Sequence, residues 1–192
     1  LKLQREKESS SFRGSSGGIS SGGINSIDSN RCIIYSYGVS VETSFESHIL
    51  SLPEFKCEIF AFDPTVPSIN ISSDLPLLFH KQALWNTSGS TNSFLITEHL
   101  FDTMNRLNHS FIDILKIDIE GSEWPVFREL LTRARQLRSV DSTFTLPFGQ
   151  LLIELHYEDT ASIVEFFSGM SEFGFLSFSR EINLQPCLDG KL

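Results

Sequence analysis

The feature that most constrains the fold is a regular alternation of strand-like and helix-like segments from residue 31 onward. Short apolar runs rich in β-branched and aromatic residues end at glycine, proline or polar positions, as strands do. Between them lie segments whose apolar residues recur every three or four positions, as in amphipathic helices. About six such alternations predict an α/β layer fold with a largely parallel sheet.

Six segments are predicted as strands and four as helices. The strands are CIIYSYG, CEIFAFDP, PLLFHKQAL, IDILKIDIE, QLLIELHY and GFLSFSR. The helices are VETSFESHILSL, TEHLFDTMNRLNH, SEWPVFRELLTRARQLR and ASIVEFFSGMSEF. Thr43, with Glu46 three residues later, matches a capping box at the start of the first helix.

Residues 1–30 have a different composition from the rest of the chain. The stretch SSSFRGSSGGISSGGINSIDS has too few apolar side chains to offset the entropy of ordering it. Its glycines do not form a phosphate loop, because no predicted strand precedes them and no Gly-Lys-Ser/Thr follows. We therefore predict a flexible tail over residues 1–30 and one folded domain over residues 31–192.

Charge and cysteine usage limit the classes of partner. The net charge of −9, from 15 basic and 24 acidic residues, argues against nucleic acid as the main partner. No run of 18 apolar residues exists, so no membrane span is predicted in this chain, and the compartment is left open. Cys32, Cys57 and Cys187 lack metal-site spacing. Because Cys32 and Cys57 begin apolar runs, we expect buried free thiols there, with a disulfide through Cys187 left open.

The fourth predicted strand, in ILKIDIEGSEW, carries charges that a buried parallel strand should not have. Alternation places Leu115, Ile117 and Ile119 on one face and the charged residues on the other. The strand LLIELHY is polar in the same way. If the two strands are neighbours, one polar mouth forms at their carboxyl ends, where Gly121 lets the chain turn. Its members are Lys116, Asp118, Glu120, Glu154 and His156.

The ends of the first two predicted strands suit a nucleoside. The turn in YSYGVS leads into the first helix, whose backbone N–H groups favour an anionic group. Asp63 follows the second strand, 25 residues after Gly38, where a carboxylate can accept hydrogen bonds from a ribose diol. A pyrophosphate is disfavoured, because the turn has one glycine where the dinucleotide fingerprint has three.

Four motifs carry a family resemblance. CIIYSYGVSVETSFE, AFDPT, IDILKIDIEGSEW and LLIELH resemble the FkbM-type S-adenosylmethionine-dependent methyltransferases, and more closely their animal methyltransferase-like branch. The resemblance implies a class I methyltransferase fold, a Rossmann-like three-layer sandwich with strand order 3-2-1-4-5-7-6. It implies that Asp63, next to Pro64, binds the ribose of the cofactor. It also implies that the methionine part is bound by Ser36, Tyr37, Gly38, Val39 and Ser40.

The chain departs from the family pattern at three places. The family continues into a final antiparallel strand, whereas this chain stops at Leu192, soon after GFLSFSR. Either the C-terminal edge is truncated or the sheet lacks its last strand. The Ser/Gly tract replaces sequence that the family orders, and Ala83 stands where a glycine is expected.

The leading functional hypothesis is methyl transfer from S-adenosylmethionine to an oxygen of a small-molecule or glycan acceptor that carries a hydroxyl. Asp118 is the first candidate for the general base and His156 the second. We expect Lys116, Glu120, Gly121 and Glu154 to contact substrate or to hold the mouth together.

Three alternative interpretations remain. A metal could bind Asp118, Glu120 and His156, but Lys116 within that cluster argues against it, and no metal is predicted. A degenerate Rossmann-like module could bind a nucleoside or a partner protein without catalysis. A nicotinamide-dependent oxidoreductase is disfavoured by the missing glycine fingerprint.

Overall fold

The computed structural model describes residues 2–5, 32–41, 43–70, 75–92, 95–156 and 158–181. Within these residues it contains ten strands and four helices. The strands are β1 (Lys2–Arg5), β2 (Cys32–Tyr37), β3 (Cys57–Phe62), β4 (Leu77–His80), β5 (Ala83–Leu84), β6 (Gly89–Asn92), β7 (Leu95–Glu98), β8 (Ile112–Ile117), β9 (Phe148–Ile153) and β10 (Phe175–Ser179). The helices are α1 (Ser44–Ser51), α2 (Leu100–Leu107), α3 (Glu123–Val140) and α4 (Thr160–Glu172).

Seven strands form one mostly parallel sheet in the order β10-β1-β9-β8-β2-β3-β4. The five strands β9, β8, β2, β3 and β4 pair in parallel with one another in that order. This confirms the predicted α/β fold, and the architecture is that of a class I methyltransferase. The chain proceeds from β2 to β3 on one side and later to β8 on the other. The end of β2 is therefore the switch point, where open parallel sheets bind ligands.

The position of the strand that the sequence left in doubt lies between β9 and β10, and β1 occupies it. This strand pairs antiparallel with both β9 and β10, in the position expected for the last strand of the family. Of the two alternatives that the sequence left open, a sheet without its last strand is therefore contradicted. The prediction that residues 1–30 form a tail was also wrong for Lys2–Arg5, and the rest of that segment lies outside the described residues. Pairing on both sides explains how a short polar sequence becomes a strand.

Two apolar cores cover the two faces of the sheet. The larger core joins sheet residues such as Tyr35, Phe62 and Leu115 to the helices α2, α3 and α4. The smaller core contains Ile34 and Ile59, which pack against α1. Neighbours in sequence alternate between the cores, as predicted from the period of two. The arrangement is a three-layer sandwich with unequal outer layers.

Two local predictions near the site need correction: the strand predicted over PLLFHKQAL is confirmed in the main sheet only for Leu77–His80, and the capping box is wrong. The segment PLLFHKQAL is divided between β4 and β5, and β5 joins β6 and β7 in a separate three-stranded sheet. The capping box does not form, because Thr43 makes no side-chain cap hydrogen bond. The Glu46 side chain is instead buried against β2, where it accepts a hydrogen bond of 2.5 Å from Ser36 Oγ.

Cys32 and Cys57 form a disulfide, so the expectation of free thiols was wrong. The two residues are directly paired at the amino ends of β2 and β3, and their Cα atoms lie 4.3 Å apart. This separation is at the short limit of those that a disulfide spans. Cys187 lies outside the described residues.

Candidate functional site

A cavity of about 380 Å³ lies at the switch point. We call it the switch-point cavity. Its walls come from the ends of β2, β3 and β8 and from the small sheet. The lining residues are Tyr37, Gly38, Ser40, Phe62, Asp63, Pro64, Thr65, Gln82, Ala83, Leu84, Trp85, Thr97, Asp118, Ile119, Glu120 and Ser122.

Gly38 makes the close approach of β2 and β8 possible. Its φ is +76°, and its N–H donates to the carbonyl oxygen of Phe62 at 2.9 Å. A Cβ at this position would lie 1.5 Å from the backbone oxygen of Asp118. Glycine is therefore required both for the left-handed backbone and for the missing side chain.

Asp63 is a buried acceptor at the wall of the switch-point cavity. One carboxylate oxygen accepts from Ser40 N at 2.7 Å, and the other accepts from Thr65 N at 2.7 Å and Thr65 Oγ1 at 2.5 Å. Burial by itself would raise the pKa of Asp63, but these hydrogen bonds outweigh it and hold the pKa below its usual value. The side chain is thus ionised and fixed in place.

A second cavity, of about 690 Å³, lies where β8 and β9 end and β1 begins. We call it the edge cavity. It is lined by basic, acidic and apolar groups, among them Lys2, Phe45, Lys116, Glu154 and Arg180. Asp118 lines both cavities. Burial raises the pKa of Asp118, and the nearby Glu154 raises it further, while Lys116 partly opposes the shift.

The turn after β8 is held by a residue that the sequence interpretation missed. Glu123, in the first turn of α3, is fully buried and accepts from the Ile119 N–H at 3.0 Å. The same oxygen lies 3.2 Å from His156 Nδ1. On the other side of the imidazole, His156 Nε2 lies 3.4 Å from Glu120 Oε2. Glu120 has a φ of 56°, an unusual backbone conformation for a residue other than glycine.

Five of the residues predicted to bind the cofactor line the switch-point cavity, and two do not. The switch-point cavity includes Tyr37, Gly38, Ser40, Asp63 and Pro64. Of the predicted mouth, Lys116, Asp118 and Glu154 line the edge cavity, whereas Glu120 lines the switch-point cavity and lies 3.4 Å from His156.

Ser36 and Val39, predicted to contact the cofactor, do not line the switch-point cavity. Both are buried, and the Ser36 hydroxyl is bonded to Glu46. Gly121 has a φ of +95°, which fits its predicted place in a turn, but it lines neither cavity.

The small sheet contributes one wall of the switch-point cavity, and an ionic network joins it to α2. Glu98 accepts from Arg106 Nη2 at 2.8 Å and from Thr103 Oγ1 at 2.8 Å. Gln82 Nε2 donates to Glu98 at 2.9 Å, and Arg106 donates to Gln82 Oε1 at 2.7 Å. The polar turn sequence SGSTNS was the only sign of this element in the sequence.

We expect Arg106→Met to destabilise the fold by about 1–2 kcal/mol, since it leaves a mostly buried carboxylate without its cation. Burial would raise the pKa of Glu98, but the hydrogen bond from Arg106 outweighs it, and the pKa is lowered. The stabilisation is therefore complete above pH of about 5. It is lost as pH falls from the unfolded pKa, about 4.3, through the lower folded value.

Urea unfolding at several pH values measures this effect. The control is Arg135→Met, because Arg135 pairs with Glu172 at 2.9 Å on the surface, where an ion pair contributes about 0–1 kcal/mol. If both variants lost the same free energy of unfolding at neutral pH, the network around Glu98 would contribute no more than a surface ion pair.

A family model and two curated relatives agree on the kind of protein that this chain resembles. Residues 23–189 match the family described as methyltransferase domain. The chain is 31% identical over 136 residues to "Probable methyltransferase-like protein 24" of Homo sapiens, and 30% identical over 136 residues to the Rattus norvegicus protein of that name. Each alignment covers 68% of this chain but only 34% of the relative. No solved structure matches the chain significantly.

The four helices of the described residues are α1, α2, α3 and α4. None of them is both long enough and apolar enough to cross a bilayer.

Proposed function

Because the chain belongs to the methyltransferase domain family, we propose that it transfers a methyl group from S-adenosylmethionine to an oxygen of a hydroxyl-bearing small molecule or glycan. The motif IDILKIDIEGSEW supports assignment to the FkbM-type group. The observation that carries the proposal is the position of Asp118, which lines both cavities. A methyl donor in one cavity and an acceptor in the other would meet beside this carboxylate.

The residues of the switch-point cavity fit the proposed cofactor. Its volume of about 380 Å³ lies within the usual range of small-ligand sites. The ionised Asp63 offers acceptors for a ribose diol, and Phe62, Leu84 and Ile119 offer apolar surface for a base. The turn at Gly38 and Ser40 is the proposed contact for the methionine part.

The edge cavity is the proposed acceptor site. When bound, S-adenosylmethionine supplies an electrophilic methyl group, so the protein must align the acceptor oxygen and receive its proton. We assign proton acceptance to Asp118. Lys116 and Glu154 provide a donor and an acceptor that can orient hydroxyl groups.

Replacement of Asp63 tests the cofactor assignment. We expect wild-type protein to bind S-adenosylmethionine and S-adenosylhomocysteine, but not NAD, in calorimetric titration. Asp63→Ala should weaken binding of both sulfur nucleosides by about tenfold to a hundredfold, because hydrogen bonds to a charged group contribute about 1.5–3 kcal/mol.

Asp141→Ala is the matched control for this variant. Asp141 Oδ1 accepts from Thr143 N at 2.9 Å and from Thr143 Oγ1 at 2.6 Å, the same local arrangement as Asp63 with Thr65, but it lines neither cavity. The affinity of the Asp141→Ala variant for both sulfur nucleosides should remain that of the wild type. Failure of the folded wild-type chain to bind either nucleoside would overturn the proposed function.

A further inference from the structure

We propose that Asp118, Glu120 and His156 bind a first-row divalent cation between the two cavities. The three side chains each offer one ligand atom, and these atoms lie within 4.8 Å of one another. Ligands around such a cation sit at about 2.0–2.2 Å from it. Modest side-chain rotation would bring the three atoms to that distance, and Glu120, whose side chain is 86% exposed, is free to rotate.

The buried Glu123 is an independent observation that points to the same ligand. Its side chain is 0% exposed and faces the cluster, with one oxygen at His156 Nδ1. The other oxygen is buried without a hydrogen-bond partner among the described residues. A histidine that binds a metal usually donates its other ring N–H to a carboxylate in this way, which fixes the tautomer and the orientation of the ring. Glu123 would therefore be a positioning residue that directs Nε2 toward Asp118 and Glu120.

The main objection from the sequence, a lysine within the cluster, is weaker in the structure, where the charge of Lys116 acts on Asp118 from a distance. Lys116 extends toward α1, and its Nζ lies 5.9 Å from the centroid of the Phe45 ring. The ion pairs within the described part of the chain include none between Lys116 and Asp118 or Glu120. Three carboxylates thus surround one imidazole without a contacting lysine or arginine, and an added cation would balance their charge.

The nature of the ligands indicates which cation fits. Carboxylates suit Mg²⁺ and Mn²⁺, whereas imidazole suits Zn²⁺ and other transition metals. Two carboxylates with one imidazole favour Mn²⁺ or Zn²⁺ over Ca²⁺, which takes six to eight oxygen ligands. Three protein ligands leave coordination positions open toward the cavities that Asp118 lines.

The use of this cation in methyl transfer rests on the proposed function, but its binding does not. A cation here would bind an acceptor hydroxyl and lower its pKa. Asp118 has two carboxylate oxygens, so one can ligate the cation while the other receives the proton. His156 would then serve as a ligand and not as a base.

Titration of the full chain with MnCl₂, followed by electron paramagnetic resonance of free Mn²⁺ and by calorimetry, tests the proposal. We expect one saturable site, with ZnCl₂ competing for it. Glu123→Gln should weaken Mn²⁺ binding by about tenfold to a hundredfold, as loss of such a positioning residue does. His156→Ala and Asp118→Asn should weaken it at least as much, and so should Glu120→Gln, whose mostly exposed side chain can be changed without disturbing the fold. His48→Ala, an exposed histidine on α1, should bind as the wild type does.

Two outcomes would overturn the proposal: no saturable Mn²⁺ binding by the folded wild-type chain, or equal binding by wild type and His156→Ala. Titration with S-adenosylmethionine in the presence of EDTA separates this result from the proposed function. A chain that binds S-adenosylmethionine but no Mn²⁺ contradicts only the cation site. A chain that binds Mn²⁺ at these residues but neither sulfur nucleoside supports the cation site and contradicts the proposed function.

Discussion

Gly38→Ala is expected to destabilise the fold by roughly 2–5 kcal/mol and to abolish cofactor binding. Part of the loss, about 1–2 kcal/mol, comes from placing a side chain at a φ of +76°. The remainder arises because the new Cβ would lie 1.5 Å from the backbone oxygen of Asp118. Backbone cannot rotate away as a side chain does, so β2 and β8 must separate at their carboxyl ends, at a cost of about 1–3 kcal/mol or more.

Urea unfolding and calorimetric titration with S-adenosylmethionine measure the two effects. Gly174→Ala is the matched control, because Gly174 has a φ of +80° but no atom within 4 Å of the position of its Cβ. That variant should lose only the 1–2 kcal/mol of backbone strain and should bind the cofactor normally. If the two variants were equally stable, the close contact between β2 and β8 would be wrong.

Loss of the Cys32–Cys57 disulfide is expected to destabilise the protein by about 3–4 kcal/mol. The cross-link joins residues 25 apart in sequence, and closing a loop of that size restricts the unfolded chain by about this amount. The double variant Cys32→Ser/Cys57→Ser should show the loss in urea unfolding under non-reducing conditions. A reductant should destabilise the wild type to a similar degree and leave the double variant unchanged.

Counting thiols provides the control for this expectation. Non-reduced protein in denaturant should expose at most one free thiol of its three cysteines, because two of them form the disulfide. Three free thiols in protein kept under oxidising conditions would contradict the disulfide.

The sequence predicted the fold class, the methyltransferase family and which residues lie near the ends of the central strands, for a physical reason. In IDILKIDIE, the period of two separates Leu115 and Ile117, which are buried beneath the helices, from Lys116 and Asp118 on the opposite face. A parallel sheet brings the carboxyl ends of its central strands together, so polar residues there were expected to meet.

Other features depend on contacts between distant segments and could not be read locally. The sequence of β1, KLQR, has no strand pattern of its own, and its structure comes from pairing with β9 and β10. Glu123 looked like an ordinary acidic residue at the start of a helix, where such residues are favoured. Its contact with His156 joins positions 33 apart in the sequence.

The position of β1 also determines the order in which the protein can be completed during synthesis. This strand is the first described strand to leave the ribosome, yet its partners β9 and β10 are the last two. Lys2 pairs with Leu152, about 150 residues later, so the central strands can assemble long before this pairing is possible. Contacts of such long range form slowly, and until they form β9 exposes an unpaired edge. We therefore expect folding to end with the insertion of β1, after translation of the domain, and the intermediate before this step to be the species most prone to aggregation.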